Sequence, residues 1–453
     1  MQEEMERALS QCTGEYADVR YERDRITQIE YSGRDLSGAS ECEREGFHLR
    51  ALKGGGLGSY SLNEPFGLVT AMRRAEEAAA LCGRYNTPPT RFKYGPAAVE
   101  EIAIEAAEDP RAVPLDEKVS LLRSYRDIVL SVPRIQTANL IYTEWAKTKV
   151  FANTRGSRLR MEEVISSIHG EILAREGDRI ENVRVEVGGG VDFSLMRSRE
   201  EVFESRARLA AELLSAQPVP AGSHRVLLNP GMVGVFIHEA FGHFSEADIV
   251  KDNPSLLERL RLNQRIAVDE LSVVDDPTLR NKPGFKLFDD EGVRCSPTQL
   301  IRQGVLAGRL HSMQTAAQLD EELTGNAVAV GCSYPPLVRM SNIFVEPGRH
   351  GFDDLMGMLG DGLYICDPKG GSTMGDQFAF GAQHGYVVRR GKISQMVSGI
   401  TISGNLFQTM LDIKAVGNDV AFRESGSCGK GSQMNPQSGL GGPHVLIDPV
   451  VIG

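Results

Sequence analysis

A chain of 453 residues, 41% hydrophobic and 25% charged, is too long for one ordinary core and has the make-up of a globular protein of two or three domains. Its net charge of −11 argues against a nucleic-acid or anionic-membrane partner, because phosphate binding needs clustered Lys and Arg. No apolar run approaches the roughly 20 residues that cross a bilayer, and the start MQEEMERALS lacks a charged-then-apolar leader pattern. A cytoplasmic protein is therefore expected. Seven cysteines scattered from Cys12 to Cys428, with no CxxC pair, form neither a disulfide framework nor a zinc ribbon. Most are expected to be small buried hydrophobes.

Residues 1–215 read as an α+β unit. An opening helix leads into a β meander, in which GFHLRALKGGGLGSYSLN (46–63) alternates apolar and polar positions and turns on Gly54, Gly55 and Gly56. A helix beginning at Pro65 keeps Leu68, Met72, Ala75, Ala79 and Cys82 on one face. After the loop RYNTPPTRFKYGP, a second amphipathic helix is predicted near 116–131, with Val119, Leu122 and Ile128 facing inward. Strand patterning returns over 135–192, with a hairpin turn at 153–156. Ser198 and Glu201 then predict a capping box for a helix running to about Leu214. SAQPVPAGSH reads as a linker, which places the boundary near 215–224 and assigns 216–453 to a second domain. That half opens on a buried strand, HRVLLNP, followed by a helix starting at Pro230. Beyond NPSLLERLRLNQRI it becomes a succession of short strands, glycines and turns, mostly β with a few inserted helices.

The helix after Pro230 carries the chemistry. In FIHEAFGHFSE (236–246), His238 and His243 are five residues apart, and Glu239 directly follows the first. Hydrolytic zinc sites use three protein ligands and an open position, and a glutamate beside the first histidine projects toward that position as a general base. On a straight α-helix, however, positions i and i+5 diverge by ~140°. A π turn would return both imidazoles to one side, and Gly242 is the residue most tolerant of the distortion. The competing reading is a buried helix with two satisfied histidines.

Four residues are candidates for a third ligand: Glu246, Asp248, His384 and Cys428. The acids lie at a helix end, where solvated carboxylates are common. His384, in GAQHGYVV, reads as a strand residue. Cys428, in ESGSCGKGSQ, has the most distinctive setting, because flanking glycines leave its sulfur accessible and Lys430 would favour the thiolate. The same GKGS is not a phosphate loop, since Gly431 follows the lysine and no helix can form after it; KGGGLG and VGGGVD likewise read as turns.

HEAFGHFSEAD, DDEG (289–292), TGN (324–326), PPLVRMSN (335–342), ISGN (402–405) and GSCGKG (426–431) occur in this order. Together with the N-terminal meander, they make the chain resemble the TldD/PmbA family of metallopeptidases over nearly its whole length. The resemblance implies one zinc ion per chain, held by His238, His243 and Cys428, with Glu239 as general base. It also implies an N-terminal α/β domain with a mostly antiparallel sheet, a C-terminal barrel-like β domain carrying the metal-site helix, and a dimer. The intact HExxxH places the chain with the TldD-like branch, whose partner is a PmbA (TldE)-like chain or a second copy. The implied activity is hydrolysis of unfolded or modified peptides, and a β-rich domain with exposed edges would take them as an added strand. His384 and Tyr386 are the candidates for holding the oxyanion. Two rival readings remain at this stage: a thiol hydrolase with Cys428 as nucleophile and His384 or His238 as base, and a peptide-binding subunit without catalysis.

Overall fold

The computed structural model describes residues 1–453 and is a sheet-rich α+β structure. Seven strands of the N-terminal half form one sheet: β1 (Tyr16–Ser32), β2 (Asp35–Lys53), β3 (Gly56–Leu62), β4 (Val99–Ile102), β5 (Ile135–Asn153), β6 (Arg158–Glu176) and β7 (Arg179–Gly190). Their order is β3-β2-β1-β5-β6, with β4 and β7 sharing the outer edge of β6. All pairings are antiparallel except β4 with β6.

Four helices cover one face: α1 (Gln2–Ser10), α2 (Leu68–Gly83), α3 (Leu115–Ser131) and α4 (Glu200–Leu213). Odd positions of β1 and even positions of β5 point toward them, so Ala17, Val19, Val150 and Ala152 pack under α1 and α2. Ile29, Tyr31, Leu140 and Tyr142 pack under α3 and α4. On α2, Leu68, Met72, Ala75 and Ala79 are buried as predicted. The helix begins at Leu68 rather than Pro65, however, and Cys82 at its far end is exposed. Gly56 and Gly58 let α2 sit directly on β3, since a Cβ at either would stand 2.1 Å from the carbonyl oxygen of Ala79 or Ala75. The predicted capping box is absent. Ser198 has a φ of 54°, Arg199 is the N-cap without a side-chain bond, and its N–H donates to the Tyr125 hydroxyl instead. Of the cysteines, only Cys295, Cys366 and Cys428 are buried; the others sit on β2, at helix ends or on a loop, and of these Cys12 packs half-buried against the core under α1 and α2.

The sheet's other face is charged yet partly buried. Asp18, Arg20, Glu22 and Asp24, alternate residues of β1, are all covered. Arg50 of β2 bridges Asp18 and Glu291, each at 2.6 Å, and Lys149 reaches Asp290 at 2.9 Å. Arg20 donates to the carbonyls of Gly331 and Tyr334. The DDEG motif thus docks the C-terminal half onto this face.

In the C-terminal half, strand pairing closes on itself. Gly222–Leu228 lies between Gly362–Met374 and Val445–Ile452. The latter pairs with Ile400–Asn405, which pairs with Gln377–Arg389, which returns to Gly362–Met374. A second sheet of short strands, including Asn342–Val345 and Gly439–Gly442, lies beside this ring. Helix α5 (Pro230–Ile237) packs against both sheets. Met232, Val233, Phe236 and Ile237 bury its apolar surface. No helix is long and apolar enough to cross a membrane.

Candidate metal centre

Asn229 caps α5 by accepting the Met232 N–H at 2.9 Å, and Pro230 follows at the first helical position. Regular α geometry ends at Ile237. His238–Gly242 form a π turn in which the His243 N–H donates to the His238 carbonyl, five residues back. That wider turn returns His243 to the side of His238, and the two rings stand 4.9 Å apart at 81°. The structure gives Gly242 a different reason from the one read in the sequence. Its φ of −53° suits any residue, but a Cβ there would lie 2.2 Å from Met340 Sδ. Close packing, rather than backbone freedom, requires the glycine.

Cys428 begins a short strand (Cys428–Lys430) in a hairpin with Gln433–Asn435. Its Sγ lies 3.1 Å from His238 Nε2 and 3.5 Å from His243 Nε2. The three donor atoms lie within 4.8 Å of one another. Bond lengths of ~2.3 Å to sulfur and ~2.0–2.1 Å to nitrogen put ligand atoms of a tetrahedral zinc roughly 3.3–3.6 Å apart. Both sulfur–nitrogen distances are near that spacing, and two imidazoles with one thiolate suit zinc's borderline softness. The residues fit the ion.

Burial, with His243 and Arg339 nearby, holds the His238 pKa well below its usual value, leaving the neutral imidazole that a metal needs. For His243 burial acts in the same sense, but hydrogen bonds to Cys428 and Glu246 outweigh it and push its pKa up to about 10. Ligation at His243 therefore requires loss of that proton. Glu246, fully buried, accepts from His243 Nδ1 at 3.1 Å and from Lys430 Nζ at 3.0 Å. It stands behind His243 and orients the ring so that Nε2 faces Cys428. The sequence contained a signal for this, since an acid three residues after a histidine shares its helix face. Lys430 is engaged with Glu246, Asp248 (2.6 Å) and the Val338 carbonyl, not with the Cys428 sulfur. The buried Arg339 guanidinium donates to the Cys428 carbonyl, locking the hairpin.

Glu239 points into a cavity of about 470 Å³ that His238 also lines. Burial raises its pKa, and the Thr373 hydroxyl donates to its Oε2 at 3.4 Å. The opposite wall comes from β5 and β6 of the N-terminal sheet, an arrangement invisible in the sequence. His384 and Tyr386 are not at this site. They line an adjoining cavity of about 910 Å³, where Asp367 is paired with Arg206, which removes them as oxyanion partners.

The chain matches the PmbA/TldA metallopeptidase C-terminal domain over 221–453, the central domain over 108–217 and domain 1 over 17–79. It belongs to the TldD/PmbA metallopeptidase family. A metalloprotease from Synechocystis sp. is 32% identical over 98% of this chain and 96% of its own length. A zinc metalloprotease TldD homolog from Saccharolobus solfataricus is 28% identical over 97% of this chain and 96% of its own. TldE from Thermococcus kodakarensis has the same fold, with a TM-score of 0.77 at 16% identity over 100% of this chain and 99% of its own. The remaining motifs prove to be scaffold. Asn326 of TGN bonds Asp275 and the Arg339 carbonyl, Ser341 of PPLVRMSN bonds Asp275, and Asn405 of ISGN caps the helix Leu406–Leu411.

Proposed function

We propose that this chain is a zinc-dependent peptidase of the cytoplasm acting on unfolded or modified peptides. The observation that carries the reading is the convergence of His238 Nε2, His243 Nε2 and Cys428 Sγ beside Glu239 at a cavity wall. His238, His243 and Cys428 would hold one zinc ion per chain. Bound there, zinc supplies Lewis acidity toward a carbonyl oxygen and lowers the pKa of water from about 15.7 to about 7. Glu239 takes the proton from the attacking water and delivers it to the leaving amine; its burial-raised pKa suits a group that must both accept and return a proton. Thr373 keeps its carboxylate turned to the cavity. Glu246 and Lys430 keep His243 in the ligating tautomer.

Strand Gly362–Met374 pairs with Gly222–Leu228 only as far as Ile365, and Asn229 Oδ1 takes the Asp367 N–H, so its edge is free beyond Pro368, where Gly370 and Gly371 line the cavity. An extended peptide can add along that edge and be read through its backbone, with little side-chain selectivity. The thiol-hydrolase reading is disfavoured because relatives matching over nearly the whole chain are metalloproteases and His384 lines a different cavity; His238 is the one base it retains within reach of the Cys428 sulfur. Family membership leads us to assign the chain a partner, a second copy or a TldE-like chain, which light scattering of the isolated chain distinguishes. The test of the mechanism is Glu239→Gln, which is expected to keep metal and lose peptide hydrolysis. Full activity in that variant would falsify the mechanism.

A further inference from the structure

We propose that the N-terminal sheet supplies the recognition wall for the peptide, with the Trp145 indole N–H donating to a substrate main-chain carbonyl. The inference rests on the peptidase reading and deepens it. The cavity over His238 and Glu239 is walled on its far side by Thr143 and Trp145 of β5 and by Ile165, Ser167 and His169 of β6. Trp145 pairs with Ile165 and Thr143 with Ser167 across the two strands, so these side chains share one face. It is the face that carries Lys149 and docks the C-terminal half further along.

Trp145 is the only tryptophan in the chain. Its Nε1 is buried and has no hydrogen-bond acceptor. A buried N–H of this kind is costly unless something accepts from it, and the indole otherwise finds a partner when covered. The ring itself is held. The Arg44 guanidinium stands 5.2 Å and the Lys147 ammonium 4.5 Å from its centroid. Both cations are tied to Asp24, Arg44 at 2.7 Å and Lys147 at 4.0 Å. The ring is therefore positioned before substrate arrives, and its N–H, unpaired and closed to solvent, meets a substrate carbonyl once the indole edge tilts toward the cavity that the ring lines. A peptide lying along the free strand edge beside Glu239 would present main-chain carbonyls on both sides, one set toward that edge and the other toward this wall. A donor on the wall completes the grip without reading side chains.

A single tryptophan makes the test direct. Zinc-loaded Glu239→Gln chain is titrated with short, unstructured, Trp-free peptides, following indole emission and, in parallel, the anisotropy of fluorescein-labelled copies. Emission is expected to shift and saturate at the anisotropy midpoint. In the Glu239-containing chain, Trp145→Phe is expected to raise KM about five- to tenfold, the loss of roughly one hydrogen bond. kcat should stay within about twofold and zinc content should be unchanged. Peptide binding by anisotropy without any emission change overturns the wall, as does an unchanged KM in Trp145→Phe. If that variant does not fold, the emission titration alone decides. A saturating emission response with no hydrolysis by the unsubstituted chain keeps the wall and sinks the peptidase reading. Binding seen by neither readout overturns both.

Discussion

Gly242→Ala probes the joint between the π turn and the core behind it. The added methyl carbon would lie 2.2 Å from Met340 Sδ and 3.1 Å from Ile343 Cδ1, where a relaxed contact is about 3.5–4.0 Å. Met340 and Ile343 are both buried, so room must come from an off-rotamer methionine or a shifted turn, at about 1–3 kcal/mol. Alanine's higher helix propensity offsets up to about 1 kcal/mol, since a φ of −53° is open to it. The expected net loss is about 1–2 kcal/mol. Met340→Ala alone costs about 2–5 kcal/mol through its cavity. With the sulfur removed, the added methyl should cost nothing or stabilise by up to about 1 kcal/mol. Urea denaturation of the four metal-free chains, followed by circular dichroism, measures this cycle. A coupling of about 1–3 kcal/mol is expected, and additivity within about 0.5 kcal/mol would refute the packing argument. Because His243 follows Gly242 directly, zinc affinity should fall in the single variant and recover in the double one.

Mass spectrometry of the intact protein should find about one zinc per chain, lost or much weakened in Cys428→Ala; equal zinc in both removes the thiolate from the site. Arg50→Met strands Asp18 and Glu291 in a buried interface, so a loss of about 3–5 kcal/mol is expected in denaturation, and a loss under about 1 kcal/mol would show the pairs to be solvated. Burial, with Arg20 and Arg50 nearby, pushes the His48 pKa down to about 2. A folded-state pKa below the unfolded one leaves stability complete above about pH 6.5 and removes about 1.4 kcal/mol per pH unit as acid is added below it. His48→Gln should flatten that slope between pH 6.5 and 5, and an unchanged slope counts against it.

Much of the site was legible because its signals are local. Hydrophobic periodicity located α2 and α3, Pro230 marked the start of α5, and the spacing of His238 and His243 demanded a π turn that the structure contains. Where prediction failed, long-range partners had overridden local preference. Ser198 read as a cap, but the N-cap is Arg199, whose own N–H is taken by the Tyr125 hydroxyl from α3. Lys430 read as a neighbour of the Cys428 thiolate, but Glu246 and Asp248, which follow the π turn, claim it. Cys82 continued an apolar stripe but is exposed, because at this end of α2 it is Gly83 that packs against Gly54 and Gly56 at the start of the edge strand.

Residue order alone determined the donor types, the position of Glu239 directly after the first histidine and the family, since each depends on identity and short spacing. Only the tertiary structure decided that Cys428, 185 residues beyond His243, completes the triad, and that Glu246 stands behind His243 instead of joining it. It alone placed β5 and β6 over the cavity, with Trp145 facing the site from a strand nearly one hundred residues upstream. Such contacts depend on how two halves dock through buried charges such as Arg50 and Lys149, and no periodicity along a single strand or helix encodes that docking.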